Sequence, residues 1–162
     1  MDVPATLIAA VILVESGGVC NAYRPEPGYQ WLWDNHLGGP FRGAEQDLRA
    51  PHALVGQMTN TAELWGQRMS WSSMQIMGAT ARELGFQGWF TELCGPLGVE
   101  YGTRYLERLA GRHFRAYGWE GVIAAYNSGS PVIKSERVRK HVEKVMRKWA
   151  AEKAAAGGDT GA

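Results

Sequence analysis

Thr6-Leu7-Ile8-Ala9-Ala10-Val11-Ile12-Leu13-Val14-Glu15-Ser16-Gly17-Gly18 runs an unbroken apolar stretch into one carboxyl group and two glycines. Helical periodicity here places Ile8, Val11 and Ile12 seven, four and three residues before Glu15, and so on its face. The carboxyl group then leans on aliphatic side chains where the chain turns. Removing water from a carboxylate disfavours its charged form, raises its pKa and keeps a proton available near neutral pH for a leaving group. The same pattern also fits a solvated glutamate that only closes a helix.

Outward from this segment the chain reads as mainly helical with one long irregular insert. Gly17 to Pro51 is rich in Gly and Pro but carries Tyr23, Tyr29, Trp31 and Trp33, an aromatic content that marks an ordered functional loop rather than a disordered linker. Helices are expected over residues 61–69, over 78–84 with Gly85 as a left-handed stop, over 97–117 and over 119–126. A last helix is expected from about Ser135, with Val138, Val142, Val145 and Trp149 on one stripe. Met74-Gln75-Ile76-Met77 reads as extended, so that period two sends Met74 and Ile76 one way and Gln75 and Met77 the other. Residues 154–162 read as a flexible tail of small side chains, which leaves 1–153 as a single domain.

Composition excludes several function classes. A net charge of +1 gives no global field for nucleic acid, although residues 134–148 hold seven Lys or Arg against Glu136 and Glu143. That basic helix can contact an anionic cell envelope, or serve as an ordinary docked helix with a solvated face. Cys20 and Cys94 are too few for a zinc cluster and read as free or buried thiols, and the four His lack metal-ligand spacing. The apolar run at 5–14 follows Asp2 and enters Glu15 directly, so it reads as mature structure rather than as a signal peptide, and no run is long enough to span a bilayer.

Three separated segments carry chemistry: Val14-Glu15-Ser16-Gly17, then Ser73-Met74-Gln75-Ile76-Met77-Gly78-Ala79-Thr80-Ala81, then Ala124-Ala125-Tyr126-Asn127-Ser128-Gly129. Together, and in this order, they resemble the soluble lytic transglycosylase family, relatives of goose-type lysozyme, with Gly102-Thr103-Arg104-Tyr105-Leu106 as a further match. The resemblance covers roughly Leu7 to Val132. It implies a mainly α, lysozyme-like, two-lobed fold with a small irregular or β element near a cleft that holds the sugar chain. It also implies cleavage of the β-1,4 bond between N-acetylmuramic acid and N-acetylglucosamine in peptidoglycan, with a 1,6-anhydro product. Glu15 takes the part of the single acid and base. Tyr126 orients its carboxyl, and Ser73, Gln75, Met77 and Asn127 are candidate sugar contacts. Asn127 also suits a helix stop, Gln75 a backbone cap and Met77 core packing.

The implied partner is the peptidoglycan glycan strand, with no metal, cofactor or nucleic acid. A monomer is expected, made in the cytoplasm and acting on the cell wall after release, as a phage or prophage endolysin does. Two other readings stay open: a muramidase or chitinase-type hydrolase on the same fold, and an inactive glycan-binding module.

The chain also departs from the family. Ser72 and Ser73 stand where it has Gly-Leu, and Gly78 where it has Pro. Glu15 and Gln75 lie sixty residues apart, about twice the separation in many members, so residues 21–70 hold an insert. Within it, Tyr23-Arg24-Pro25-Glu26-Pro27 resembles transglycosylase-type phage endolysins. Glu26, Asp34, Glu45 or Asp47 could position a water and turn the enzyme into a hydrolase, the default for each being a solvated surface carboxylate. Trp31, Trp33 and Trp71 can stack on sugar rings, but a small domain with seven Trp must bury most of them, so core packing is the expectation for each.

Overall fold

Pro4 and the Ser16-Gly17-Gly18 turn bound the first helix, α1 (Ala5–Glu15). The computed structural model describes residues 2–157. Its further elements are β1 (Tyr23–Pro25), β2 (Trp33–Asp34), β3 (Gly39–Pro40), α2 (Asn60–Gln67), β4 (Met69–Trp71), β5 (Ile76–Met77), α3 (Gly78–Glu83), α4 (Pro96–Ser128) and α5 (Glu136–Gly157). The fold is mainly helical, as the sequence led us to expect, with small antiparallel sheets. Among the described residues no helix is long and apolar enough to cross a membrane.

The chain divides into two compact units. One is built from the two ends, up to Gly18 and from Thr103 on; the other is the continuous stretch Val19–Gly102. In the first unit α1 buries Leu7, Ala10 and Val11, and α5 buries the expected stripe of Val138, Val142, Val145 and Trp149. Trp149 donates its indole N–H to the Thr6 hydroxyl at 3.0 Å, while His141 reaches Glu15, so α1 and α5 pack antiparallel. Between Leu106 and Ala125, α4 adds Leu106, Leu109, Ala110, Val122, Ile123, Ala124 and Ala125 to this core. Gly118 interrupts α4 at φ 60° and ψ −167°, a backbone geometry open essentially to glycine alone, which reproduces the expected division into two helices.

In the second unit the three-stranded sheet has the order β1-β4-β5, with Tyr23 opposite Trp71 and Ser70 opposite Met77. β2 pairs with β3 as a separate hairpin. α2 begins one residue earlier than expected, its Thr59 hydroxyl accepting from the Ala62 N–H, and ends sooner because Met69 is taken into β4. α3 stops at Glu83, one residue short of the expected end, and Gly85 takes the expected left-handed φ, here 93°. The turn after β4 rests on the first turns of α4. A Cβ on Gly98 would sit 2.1 Å from the Leu93 carbonyl oxygen and 2.2 Å from the Ser72 Cβ. Gly98→Ala is therefore expected to cost about 1–3 kcal/mol of stability, read as a lowered midpoint in urea unfolding.

Two expectations need correction. The C-terminal tail does not start at residue 154, because α5 continues to Gly157, as suits the helix-favouring Ala154-Ala155-Ala156. The rest of that tail, residues 158–162, lies outside the described residues. Residues 74–77 are also not extended throughout: only Ile76 and Met77 form strand, and Ser72 to Gln75 form a turn in which Ser72 (φ 67°) and Gln75 (φ 52°) are left-handed.

Candidate active site

The first unit holds Glu15, Tyr126 and Asn127, and the second holds Ser73, Gln75 and Met77. Glu15 is fixed by the way α1 stops. The Ser16 hydroxyl donates to the Ile12 carbonyl at 3.1 Å and accepts from the Gly18 N–H at 3.2 Å, and Gly17 and Gly18 take φ of 66° and 88° to reverse the chain. The Glu15 side chain is 15% exposed, and His141 Nε2 on α5 lies 3.3 Å from its carboxyl oxygen with the ring 16% exposed.

Tyr126 reaches the same place from the end of α4. Burial, then the nearby charge of Glu15, then Tyr105 hold its phenol well above the ordinary tyrosine pKa, so the hydroxyl stays protonated and available to donate. The Tyr105 ring packs 5.4 Å from it. A carboxyl group beside a protonated phenol and an imidazole is an arrangement that can give up and recover a proton in a fixed geometry.

Asn127 does not cap the helix. The Ser128 hydroxyl donates to the Ala124 carbonyl at 2.8 Å and the Gly129 N–H to the Ala125 carbonyl at 2.8 Å, so these two residues make the stop. The Asn127 Oδ1 is buried and has no hydrogen-bond partner among the described residues.

The second set sits on the β4–β5 hairpin. Gln75 accepts from the Ser70 hydroxyl at 2.8 Å and donates its amide N–H to the Ser72 carbonyl at 2.8 Å, so its side chain braces the turn and does cap backbone. Ser73 is 4% exposed and lies inside the turn, whereas Met77 is half-buried where β5 enters α3. Met74 and Ile76 are buried while Gln75 and Met77 are partly open, the partition expected of a strand, here produced by the turn. Ser72 stands where the resembled family has Gly, and its left-handed φ accounts for a glycine at that place; its hydroxyl offsets the strain by accepting from the Met74 N–H at 3.1 Å.

Of the insert carboxylates, Glu26 pairs with Arg24 at 2.6 Å and Asp34 accepts from the His36 and Leu37 N–H groups. Glu45 pairs with the Arg68 guanidinium, whose hydrogen bond holds its carboxyl below the usual range, while Asp47 is exposed. Glu45 and Asp47 are exposed surface carboxylates, as expected of all four, whereas Glu26 and Asp34 are partly buried. Cys20 and Cys94 are free thiols, and burial pushes Cys94 upward in pKa. Among the described residues no three His, Cys, Asp or Glu side chains come together as a metal site.

Two features went unread in the sequence. His141 lies three residues after Val138 and four before Val145, so the spacing of the buried stripe already put it against α1. Glu63 and Arg82, both fully buried, form a two-pronged ion pair at 3.0 and 2.9 Å that braces the second unit, and no local pattern signals it. No family model, curated protein or solved structure matches the chain.

Proposed function

We propose that this chain is a peptidoglycan lytic transglycosylase of lysozyme-like fold, acting as an endolysin. The observation that carries the reading is the surroundings of Glu15: a largely buried carboxyl at the end of an apolar helix, with the Tyr126 hydroxyl and the His141 ring at hand. The three sequence segments in family order support it, as does Asn127, whose orphan acceptor suits a donor such as a sugar acetamido N–H.

In this reading Glu15 gives its proton to the glycosidic oxygen as the bond from the anomeric carbon breaks, and N-acetylglucosamine leaves as the free alcohol. The 2-acetamido oxygen of the muramic sugar supports the positive charge, which is how one carboxyl group suffices where most glycosidases need two. The Glu15 carboxylate then takes the proton of the muramic 6-hydroxyl as that oxygen closes on the anomeric carbon. Glu15 ends protonated, the product ends in a 1,6-anhydro ring, and no water is consumed. Tyr126 and His141 position the carboxyl group between the two transfers.

Digestion of purified sacculi, followed by borohydride reduction and mass spectrometry, tests the assignment. Fragments with anhydro ends that resist reduction are expected. Reducible ends would make the protein a muramidase, and binding without release a glycan-binding module. Tyr126→Phe removes one hydrogen-bonding hydroxyl beside a charged group and is expected to lower kcat about tenfold or more with KM nearly unchanged, in steady-state turnover of solubilised peptidoglycan.

A further inference from the structure

Trp31 is the most exposed of the large aromatic residues in the Val19–Gly102 unit, at 72% against 63% for Tyr23 and 48% for Trp65, whereas Trp71 of the same unit is buried. A core role, expected for each of these tryptophans, holds for Trp71 and fails for Trp31. Leaving so large an apolar surface in water forgoes the free energy that burial supplies.

The segment that bears Trp31 is nevertheless held firmly. Leu32 is buried and its carbonyl accepts from the Phe41 N–H at 2.9 Å. The Gln67 side-chain amide accepts from the Trp33 N–H at 2.7 Å and donates to the Trp33 carbonyl at 2.9 Å. Gln67 is itself buried and tied to Glu63 at 2.8 Å. An exposed aromatic ring on a clamped backbone is a preorganised contact surface.

Trp31, Leu32 and Pro40 line two hollows at once. One, of about 150 Å³, is completed by Tyr29, Trp33, Thr80 and Glu83. The other, of about 220 Å³, is completed by Gln30, Phe41 and Arg42. Each is smaller than the roughly 300 Å³ at which sites for compact drug-sized ligands begin. Two small hollows that share one aromatic side chain match successive units of a repeating chain better than one large molecule. Each combines an aromatic wall with hydrogen-bonding groups, which is what a sugar requires: an apolar C–H face for the ring and partners for its hydroxyl and amide substituents.

Charge narrows the polymer further. The unit Val19–Gly102 contains five Arg and no Lys against eight Asp or Glu, a net charge of −3, which disfavours nucleic acids and other polyanions. The geometry points to a glycan platform in which Trp31 receives the apolar face of one ring of an uncharged N-acetylated hexosamine strand, the two hollows taking the substituents of that ring and its neighbours. This inference rests on the reading of the chain as a glycan-acting protein and adds a binding surface within the Val19–Gly102 unit.

The test uses full-length Glu15→Gln protein, so that binding is measured without cleavage, and N-acetylchitohexaose as the probe in calorimetric titration. Adding Trp31→Ala is expected to weaken binding about tenfold or more, and Trp31→Tyr to retain most of it. Because the indole is exposed, the unfolding midpoint should be the same in all three proteins. Unchanged sugar affinity in the Trp31→Ala protein overturns the platform. So does loss of a self-association, seen by sedimentation, with sugar affinity intact, since the occupant is then a second copy of the chain. Release of sacculus fragments by the Glu15→Gln protein would sink the catalytic assignment instead and leave the titration standing.

Discussion

Glu15→Gln is expected to slow release of soluble fragments from sacculi by about 10²–10⁴-fold, the range attributable to a positioned general acid and base. The substitution keeps the length and shape of the side chain and leaves an oxygen to face His141, 3.3 Å away in the native protein. It removes the ability to carry a proton. Both transfers in the proposed mechanism pass through this one group, so neither protonation of the glycosidic oxygen nor deprotonation of the 6-hydroxyl has a substitute. Thermal unfolding of the variant alongside the native protein separates lost chemistry from lost structure. A folded Glu15→Gln protein that cleaves at the native rate would remove Glu15 from the mechanism.

Arg82→Met is expected to destabilise the fold by about 3–5 kcal/mol, because it strands the Glu63 carboxylate where both side chains of the pair have no solvent exposure. The guanidinium does more than pair. It donates to the Phe86 and Gly88 carbonyls at 2.9 Å each, and it lies 4.2 Å from the centre of the Phe90 ring. Glu63 also accepts from Asn35 at 2.9 Å and Gln67 at 2.8 Å, so an unpaired charge there disturbs the clamp on Trp33 as well. The double variant Glu63→Leu with Arg82→Met leaves no buried charge, and its loss of stability should fall well short of the sum of the two single losses. Urea unfolding of the three proteins supplies the comparison. If Arg82→Met unfolds at the native midpoint, the pair is not what braces this unit.

The parts of the fold that local sequence fixes were readable without coordinates. A continuous apolar run followed by Glu-Ser-Gly-Gly has few ways to end other than as α1 does, and the Val138, Val142, Val145 and Trp149 stripe could bury itself only as one helix face. Gly118 separated two helical patterns because the break needs a backbone that other residues resist. The β4–β5 turn was misread for the converse reason: its left-handed positions are Ser72 and Gln75, residues that do not advertise a positive φ. Gln75, a candidate sugar contact by resemblance, spends its side chain on Ser70 and Ser72.

What escaped the sequence is mostly long-range. Glu63 and Arg82 are nineteen residues apart, and a Glu or Arg on a short helix looks like a solvated face until its partner is placed. Trp31 and Trp71 are the same residue type in the same unit, and only packing decides that one is buried and the other is open. His141 lay within reach of sequence reasoning, beside the Val138, Val142 and Val145 stripe, but it stands among Arg139, Lys140, Glu143 and Lys144, whose charges mark a solvated face.

The most direct test of the central claim asks where the new bond at the anomeric carbon comes from. Purified sacculi are digested in water enriched in oxygen-18, and the released fragments are analysed by mass spectrometry. Ring closure by the sugar's own 6-hydroxyl predicts anhydro ends that carry no heavy oxygen. One heavy oxygen at each newly formed muramic end would contradict the account, since water rather than the substrate would then have attacked.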